Sequence, residues 1–315
     1  MPHRPAASLT FTAERPLPLT GLDRAETVSI GRGALVLEEE WDRLFIGSRL
    51  RTRIEVVARR LATDRDAFAG AAALALHGLP VFGLDDRIDL IVGGSCTRHN
   101  AGDVRRHHSP LPDDDVSVLD GVRATNIERT VYDVIRLGSL EAAVVAFDAA
   151  LRRVAWNEDD NTYDESAAEH FRDRIRMRIS AHTGARGIRQ ARFVVEFADG
   201  RAQLPGESLL RLRIWQASLP APSLQHRVEL GGGRYALLDL AFPERRRWLE
   251  FDGGIKYTDA TMLAGRTSDE VRLAQAGRQA AAERATGWRC DRVQWAHVVS
   301  SSAFAALAEA IAFHR

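Results

Sequence analysis

Three acidic residues stand where apolar strands do not ordinarily carry them. Asp239 lies between Leu238 and Leu240, and Glu250 and Asp252 interrupt the run Trp248-Leu249-Glu250-Phe251-Asp252-Gly253-Gly254. Residues 237–242 and 248–251 read as two strands of a β-hairpin, with Pro243-Glu244-Arg245-Arg246 as its turn. Side chains alternate faces along a strand, so Glu250 and Asp252 share a face with Trp248. A register that sets residue 239 against 250 or 252 gathers all three carboxylates on one side of the sheet. Carboxylates that close repel one another unless a cation or a shared proton neutralises them. Mg²⁺ (or Mn²⁺) suits such a cluster, because it takes hard oxygen ligands and keeps positions for water and a phosphate. Lys256 is the only lysine of a chain that otherwise uses arginine. A compact ammonium so close after Asp252 would hold a phosphate or orient an attacking water. A plainer reading stays open: Asp-Gly at a strand end is ordinary turn chemistry, and Glu250 suits a solvent-facing strand position.

The elements that must position these residues are legible on either side. Leu204-Pro205-Gly206-Glu207-Ser208 opens a helix, with Glu207 in the first turn where the helix dipole favours an acid. A strand over 225–230 and the tight connection Gly231-Gly232-Gly233 lead into the hairpin. A helix over 268–285, then Gly287 and a last strand over 288–295, follow it. Helix, three antiparallel strands, helix, strand, helix is an α/β order with a mixed sheet.

Asp239, Glu250-Phe251-Asp252-Gly253, Lys256-Tyr257, Gly287-Trp288-Arg289 and Arg292-Val293-Gln294-Trp295 together resemble the PD-(D/E)XK nuclease superfamily. The resemblance is to its actinobacterial group similar to very-short-patch-repair endonucleases, with an abortive-infection (type IV) antitoxin-like region upstream. It implies a restriction-endonuclease-like mixed sheet flanked by helices, and an α+β, mostly helical antitoxin-like domain before it. It further implies DNA as substrate, Asp239, Glu250 and Asp252 as metal ligands, and Glu207 and Lys256 as the other catalytic residues. Two departures are visible. The recognition-helix part of the antitoxin-like module is absent or shortened before the Gly31-Arg32-Gly33 turn. Where relatives carry charged residues on the helix before the Gly-Trp pair, this chain has Ala276-Gly277-Arg278-Gln279-Ala280-Ala281.

The remaining sequence frames that module. The 315 residues suffice for two domains, and 43 basic against 43 acidic residues leave no global basic field to attract nucleic acid. Any such contact must use local patches. Cys96 and Cys290 form no Cys-x-x-Cys pair, and no apolar run matches a membrane span. A cytoplasmic location is the expectation. Residues 1–25 read as an irregular lead-in, 26–156 as the antitoxin-like domain, 157–200 as an arginine-rich helical linker, and 201–315 as the nuclease-like domain. Within the second of these, helices are expected over 38–61 and 67–79, and a capping box at Thr125-Asn126-Ile127-Glu128. His77 is expected to pack or cap rather than bind metal. Arg105-Arg106-His107-His108 and the arginines of 171–197 are candidate phosphate contacts or partners for the chain's own acids. Two functions compete: a metal-dependent DNA endonuclease, and a non-catalytic antitoxin-like regulator that binds DNA or a toxin and keeps the nuclease scaffold.

Overall fold

Alternating and helical apolar spacings follow one another along this chain, and the fold is mixed α/β. The structure, a computed structural model, describes residues 10–11, 26–31, 34–60, 62–63, 65–85, 87–93, 102–253 and 268–311. Lys256 lies outside them. The chain divides into two compact units, Met1–Ala150 with Glu165–Ala198, and Leu151–Asp164 with Asp199–Arg315.

The first unit begins with β1 (Thr10–Phe11), β2 (Thr27–Gly31) and β3 (Ala34–Leu37), which form an antiparallel sheet in the order β1-β3-β2. The helix expected over 38–61 is two helices, α1 (Glu38–Arg43) and α2 (Ile46–Arg60), because Leu44 takes an extended backbone between them. The helix expected from residue 67 is also shortened. Ala67–Ala69 form a strand, β4, and only Gly70–Leu76 form α3. Gly70, at φ +54°, turns the chain from strand into helix, a conformation side chains resist.

Strands β5 (Ile88–Ile91), β6 (Val104–His107), β7 (Val116–Leu119) and β8 (Val122–Thr125) complete a five-stranded sheet in the order β6-β5-β4-β8-β7. Because β4 is central, its three residues are buried and paired with β5, and Phe68 is paired with β8 as well, which outweighs alanine's helical preference. Helix α4 (Ile127–Leu137) is capped by Asn126, whose side chain accepts the Arg129 N–H at 2.7 Å, not by Thr125 as the box pattern suggests. His77 is buried with Nε2 2.8 Å from the Thr125 carbonyl, a packing role as expected.

Helix α5 (Leu140–Ala155) contains the cut between the units. The hairpin β9 (Trp156–Asn157) and β10 (Thr162–Tyr163) belongs to the second unit. Helices α6 (Glu165–Ala181) and α7 (Ile188–Phe197) pack with α4 in the first. The stretch expected as one linker, 157–200, therefore divides between the units. Phe171, Ile175 and Ile179 are buried, so α6 is core material and not a tether.

The second unit continues with α8 (Pro205–Gln216), β11 (Ser223–Gly231), β12 (Arg234–Phe242) and β13 (Arg247–Asp252). It ends with α9 (Ser268–Thr286), β14 (Arg289–Gln294), α10 (Trp295–Val298) and α11 (Ser301–Ile311). The sheet order is β11-β12-β13-β14, with the first three antiparallel and β14 parallel to β13. Gly232 and Gly233, at φ +63° and +73°, make the two-residue turn between β11 and β12. Trp248 on β13 joins Ala282 of α9 in one core cluster, while Phe251, on the opposite face, lies against α8. The approach of α8 is tight: a Cβ at Gly206 would stand 2.0 Å from the Phe251 ring.

Candidate functional site

The ladder between β12 and β13 pairs Phe242 with Arg247, Ala241 with Trp248 and Leu240 with Leu249. Carried one residue further, that register brings Asp239 opposite Glu250. Beyond the last pair the Asp239 carboxylate accepts the Phe251 backbone N–H at 3.0 Å through Oδ2. Glu250 accepts the Trp248 indole N–H at 3.0 Å through Oε1. The structure thus brings Asp239 and Glu250 together, on the face that also carries Trp248.

Their environment is costly for charge. Burial pushes the Glu250 carboxyl up first, and the neighbouring Asp239 charge adds to it. The Trp248 indole and the Asp239 backbone N–H pull the other way, and the result is about 8. The two carboxyl groups are hydrogen-bonded to each other, and that bond adds to the rise. Burial and the Glu250 charge likewise hold the Cys290 thiol in its protonated, unreactive form.

The pair opens into a cavity of about 440 Å³ within the second unit. Asp252 lines the same cavity, but its Oδ2 lies 3.9 Å from the guanidinium of Arg292. Among the described residues no group of three or more acids, histidines or cysteines is set to hold a metal ion. Glu207 is buried in the first turn of α8, where its Oε2 accepts the Gln203 backbone N–H at 2.8 Å and the Gln225 side-chain amide at 3.4 Å. Gln203 and Gln225 form part of the cavity wall, and Glu207 stands behind them. Of the five residues singled out in sequence, two form a joined pair, a third shares their cavity, a fourth backs its wall, and Lys256 lies outside the described residues.

No family model matches the chain, and no solved structure matches it. Two curated proteins are similar to it. They are described as uncharacterized proteins of Mycobacterium tuberculosis, one from strain CDC 1551 / Oshkosh and one from strain H37Rv. Each is 32% identical over 136 residues, which is 42% of this chain and 44% of the relative. The chain spans less than half the length of these relatives.

The rest of the cavity was not legible as a site. Gln275, Arg278, Gln279 and Ala282 of α9 face it at the three-and-four spacing of one helix stripe. Arg278 is exposed there without an ion-pair partner among the described residues. Arg292 stands beside Glu250 in the parallel register of β13 and β14, and two of its guanidinium nitrogens donate to the Gln279 side-chain oxygen at 3.2 and 3.0 Å. Two guanidinium groups therefore face the acid pair across one hollow. An arginine and two glutamines, Arg278 with Gln275 and Gln279, line the hollow from this helix.

Several of the other basic candidates are already engaged. Arg105 makes a bidentate pair with Asp89 at 2.7 and 2.8 Å, and His107 Nε2 reaches the same acid at 2.6 Å. On α6, Arg172, Arg174, Arg176 and Arg178 each pair with an acid of the first unit. Arg186, Arg189 and Arg192 stay exposed, with no ion pair among the described residues. No helix among them is long and apolar enough to cross a membrane.

Proposed function

We propose that the chain is a metal-dependent endonuclease-like protein acting on DNA phosphodiesters. The observation that carries this reading is the Asp239–Glu250 pair, set in a cavity that also holds Arg278 and Arg292. Two adjoining buried acids with arginines facing them suit a cation and a phosphate together. The oxygen donors fit Mg²⁺ or Mn²⁺, with Asp239 and Glu250 as ligands and Asp252 joining them once released from Arg292. A bound cation of this kind would act as Lewis acid toward the phosphate and lower the pKa of a coordinated water. Arg278 and Arg292 would take the phosphate oxygens, and Glu207 would hold Gln203 and Gln225 in the cavity wall. Lys256 is proposed, from its place in the sequence, to stabilise charge developing on the phosphate. The sheet order and its flanking helices suit a restriction-endonuclease-like fold, with the first unit as the antitoxin-like module, and the location proposed is cytoplasmic.

A second reading, a non-catalytic antitoxin-like regulator that binds DNA or a toxin, has one observation in its favour. The described acids pair rather than assemble as three. Cleavage of labelled duplex and single-stranded DNA in Mg²⁺ and Mn²⁺, beside a gel shift, separates the two. The expected result is weak, metal-dependent cleavage that falls about a hundredfold or more in Asp239→Asn and in Lys256→Ala while DNA binding persists. Cleavage by Asp239→Asn at the parent rate contradicts the nuclease reading, and a parent that neither cuts nor binds DNA transfers the case to the toxin-binding regulator.

A further inference from the structure

The cavity has another wall, which the acid pair does not use. Trp156 of β9, Asn161 of the β9–β10 turn and Tyr235 of β12 line it, together with Arg152. Both rings carry a guanidinium against one face. The Arg152 guanidinium lies 4.3 Å from the centre of the Trp156 ring, and that of Arg227 lies 4.0 Å from the centre of Tyr235. The Asn161 amide donates to the Tyr235 hydroxyl at 3.1 Å, and Asn161 holds the left-handed backbone, φ +56°, that brings it there. One donor on this wall is left over: the Trp156 indole N–H is buried and has no hydrogen-bond partner among the described residues. A buried donor without an acceptor is unfavourable unless something else fills its place.

Aromatic rings beside side-chain amides are the chemistry that holds a nucleobase, stacking on its face and bonding to its edge. Tyr235 and Asp239 lie on the same strand, about 13 Å apart by the rise of a β-strand. A base held against these rings stacks on protein and not on its neighbours, so it has left the duplex stack.

We propose that Trp156 and Tyr235 form a stacking subsite for an unpaired nucleobase, so that the DNA accepted by this cavity is single-stranded. The Asn161 amide bonds to the edge of that base, and the Trp156 indole N–H, which lies in the plane of its own ring, is left to a group beside the base. The proposal rests on the nuclease reading only for the phosphate end of the cavity; the subsite itself requires no cleavage.

The test is binding of a labelled oligothymidylate, the same length of abasic strand and a blunt duplex, followed by fluorescence anisotropy without metal at two salt concentrations. The full chain and the variants Trp156→Ala, Trp156→Phe and Tyr235→Ala are compared, each checked for an unchanged melting curve. Loss of one stacked base is expected to weaken oligothymidylate binding roughly 5- to 150-fold in Trp156→Ala and Tyr235→Ala. Trp156→Phe should recover most of that loss. Abasic-strand and duplex binding should not move, and neither should the salt dependence. If Trp156→Ala alone fails to fold, Tyr235→Ala carries the result. Equal oligothymidylate binding by parent and a folded alanine variant overturns the subsite, as does an equal loss on the abasic strand. Base-dependent binding without any cleavage would leave the subsite standing and remove the nuclease reading. Duplex cleavage with no effect at Trp156 or Tyr235 would do the reverse.

Discussion

In the first unit Asp115 is buried between two guanidinium groups, Arg129 at 2.9 Å and Arg178 at 2.5 Å. In the second unit Glu250 shares its face with another carboxylate, Asp239. Burial pushes both acids up, but the outcomes are opposite. Hydrogen bonds from Arg178 and Arg129 outweigh burial at Asp115 and hold it below its ordinary value, whereas Asp239 adds to burial at Glu250. Asp89 follows Asp115, with His107 and Arg105 offsetting its burial. The difference teaches which acids the fold uses for itself. An acid satisfied by arginines on its own unit is a structural fastening, and an acid left against a second acid at a cavity is available to a ligand.

The comparison breaks most visibly at Arg129. This guanidinium bonds both Asp115 and Asp133, so Arg129→Met removes one of the two arginines at each, leaving Arg178 at Asp115 and Arg136 at Asp133. The expected cost is about 1.5–3 kcal/mol, read from the urea midpoint at constant slope. A loss under about 1 kcal/mol, the surface-pair range, would mean the cluster is no more than a surface pair.

Glu250→Gln tests the other side, and its sign is opposite. A carboxyl whose folded value is raised stabilises the fold fully below its unfolded value of 4.5, and that stability is lost as pH rises toward about 8. The parent should therefore lose melting temperature between pH 5 and pH 8 without metal. Glu250→Gln should flatten that decline and melt a few degrees higher at pH 8. For Asp115 and Asp89, whose values are lowered, stability is present above 3.8 and lost as pH falls through their folded values. Glu250→Gln should leave this acid limb untouched. A melting profile identical to the parent at every pH would show that Glu250 is not strained by its neighbour.

The smallest effect is a calibration. Arg59 and Glu55 form an exposed pair one helical turn apart, at 2.9 Å. Arg59→Ala should change stability by less than about 0.5 kcal/mol in the same urea experiment. A larger loss would mean that exposed pairs matter here, which would blunt the contrast drawn from Arg129.

The hairpin and its acids were legible because strand alternation is local. Asp239, Glu250 and Asp252 fall on one face once the turn at residues 243–246 sets the register. The mixed sheet followed from element order, and the turn at Gly232-Gly233 from its glycines. The strand at Ala67–Ala69 was not legible, because its pairing partners, not its residues, decide it. The rest of the cavity depends on long-range contact. Asn161 and Tyr235 meet across 74 residues, and no local pattern marks Trp156 as part of a cavity wall. One further signal is local. Gln275, Arg278 and Gln279 recur at helical spacing, a polar stripe aimed at the acids and not at solvent alone.

The central claim is that Asp239 and Glu250 stand ready for a cation, and calorimetric titration of the full chain with Mn²⁺ and Mg²⁺ tests it directly. The account predicts a saturable binding heat in the parent, abolished in Asp239→Asn and in Glu250→Gln, with the parent's melting temperature rising in the presence of metal as mass action requires. A parent that gives no heat and no shift with either ion, or an Asp239→Asn variant that binds as the parent does, would contradict it.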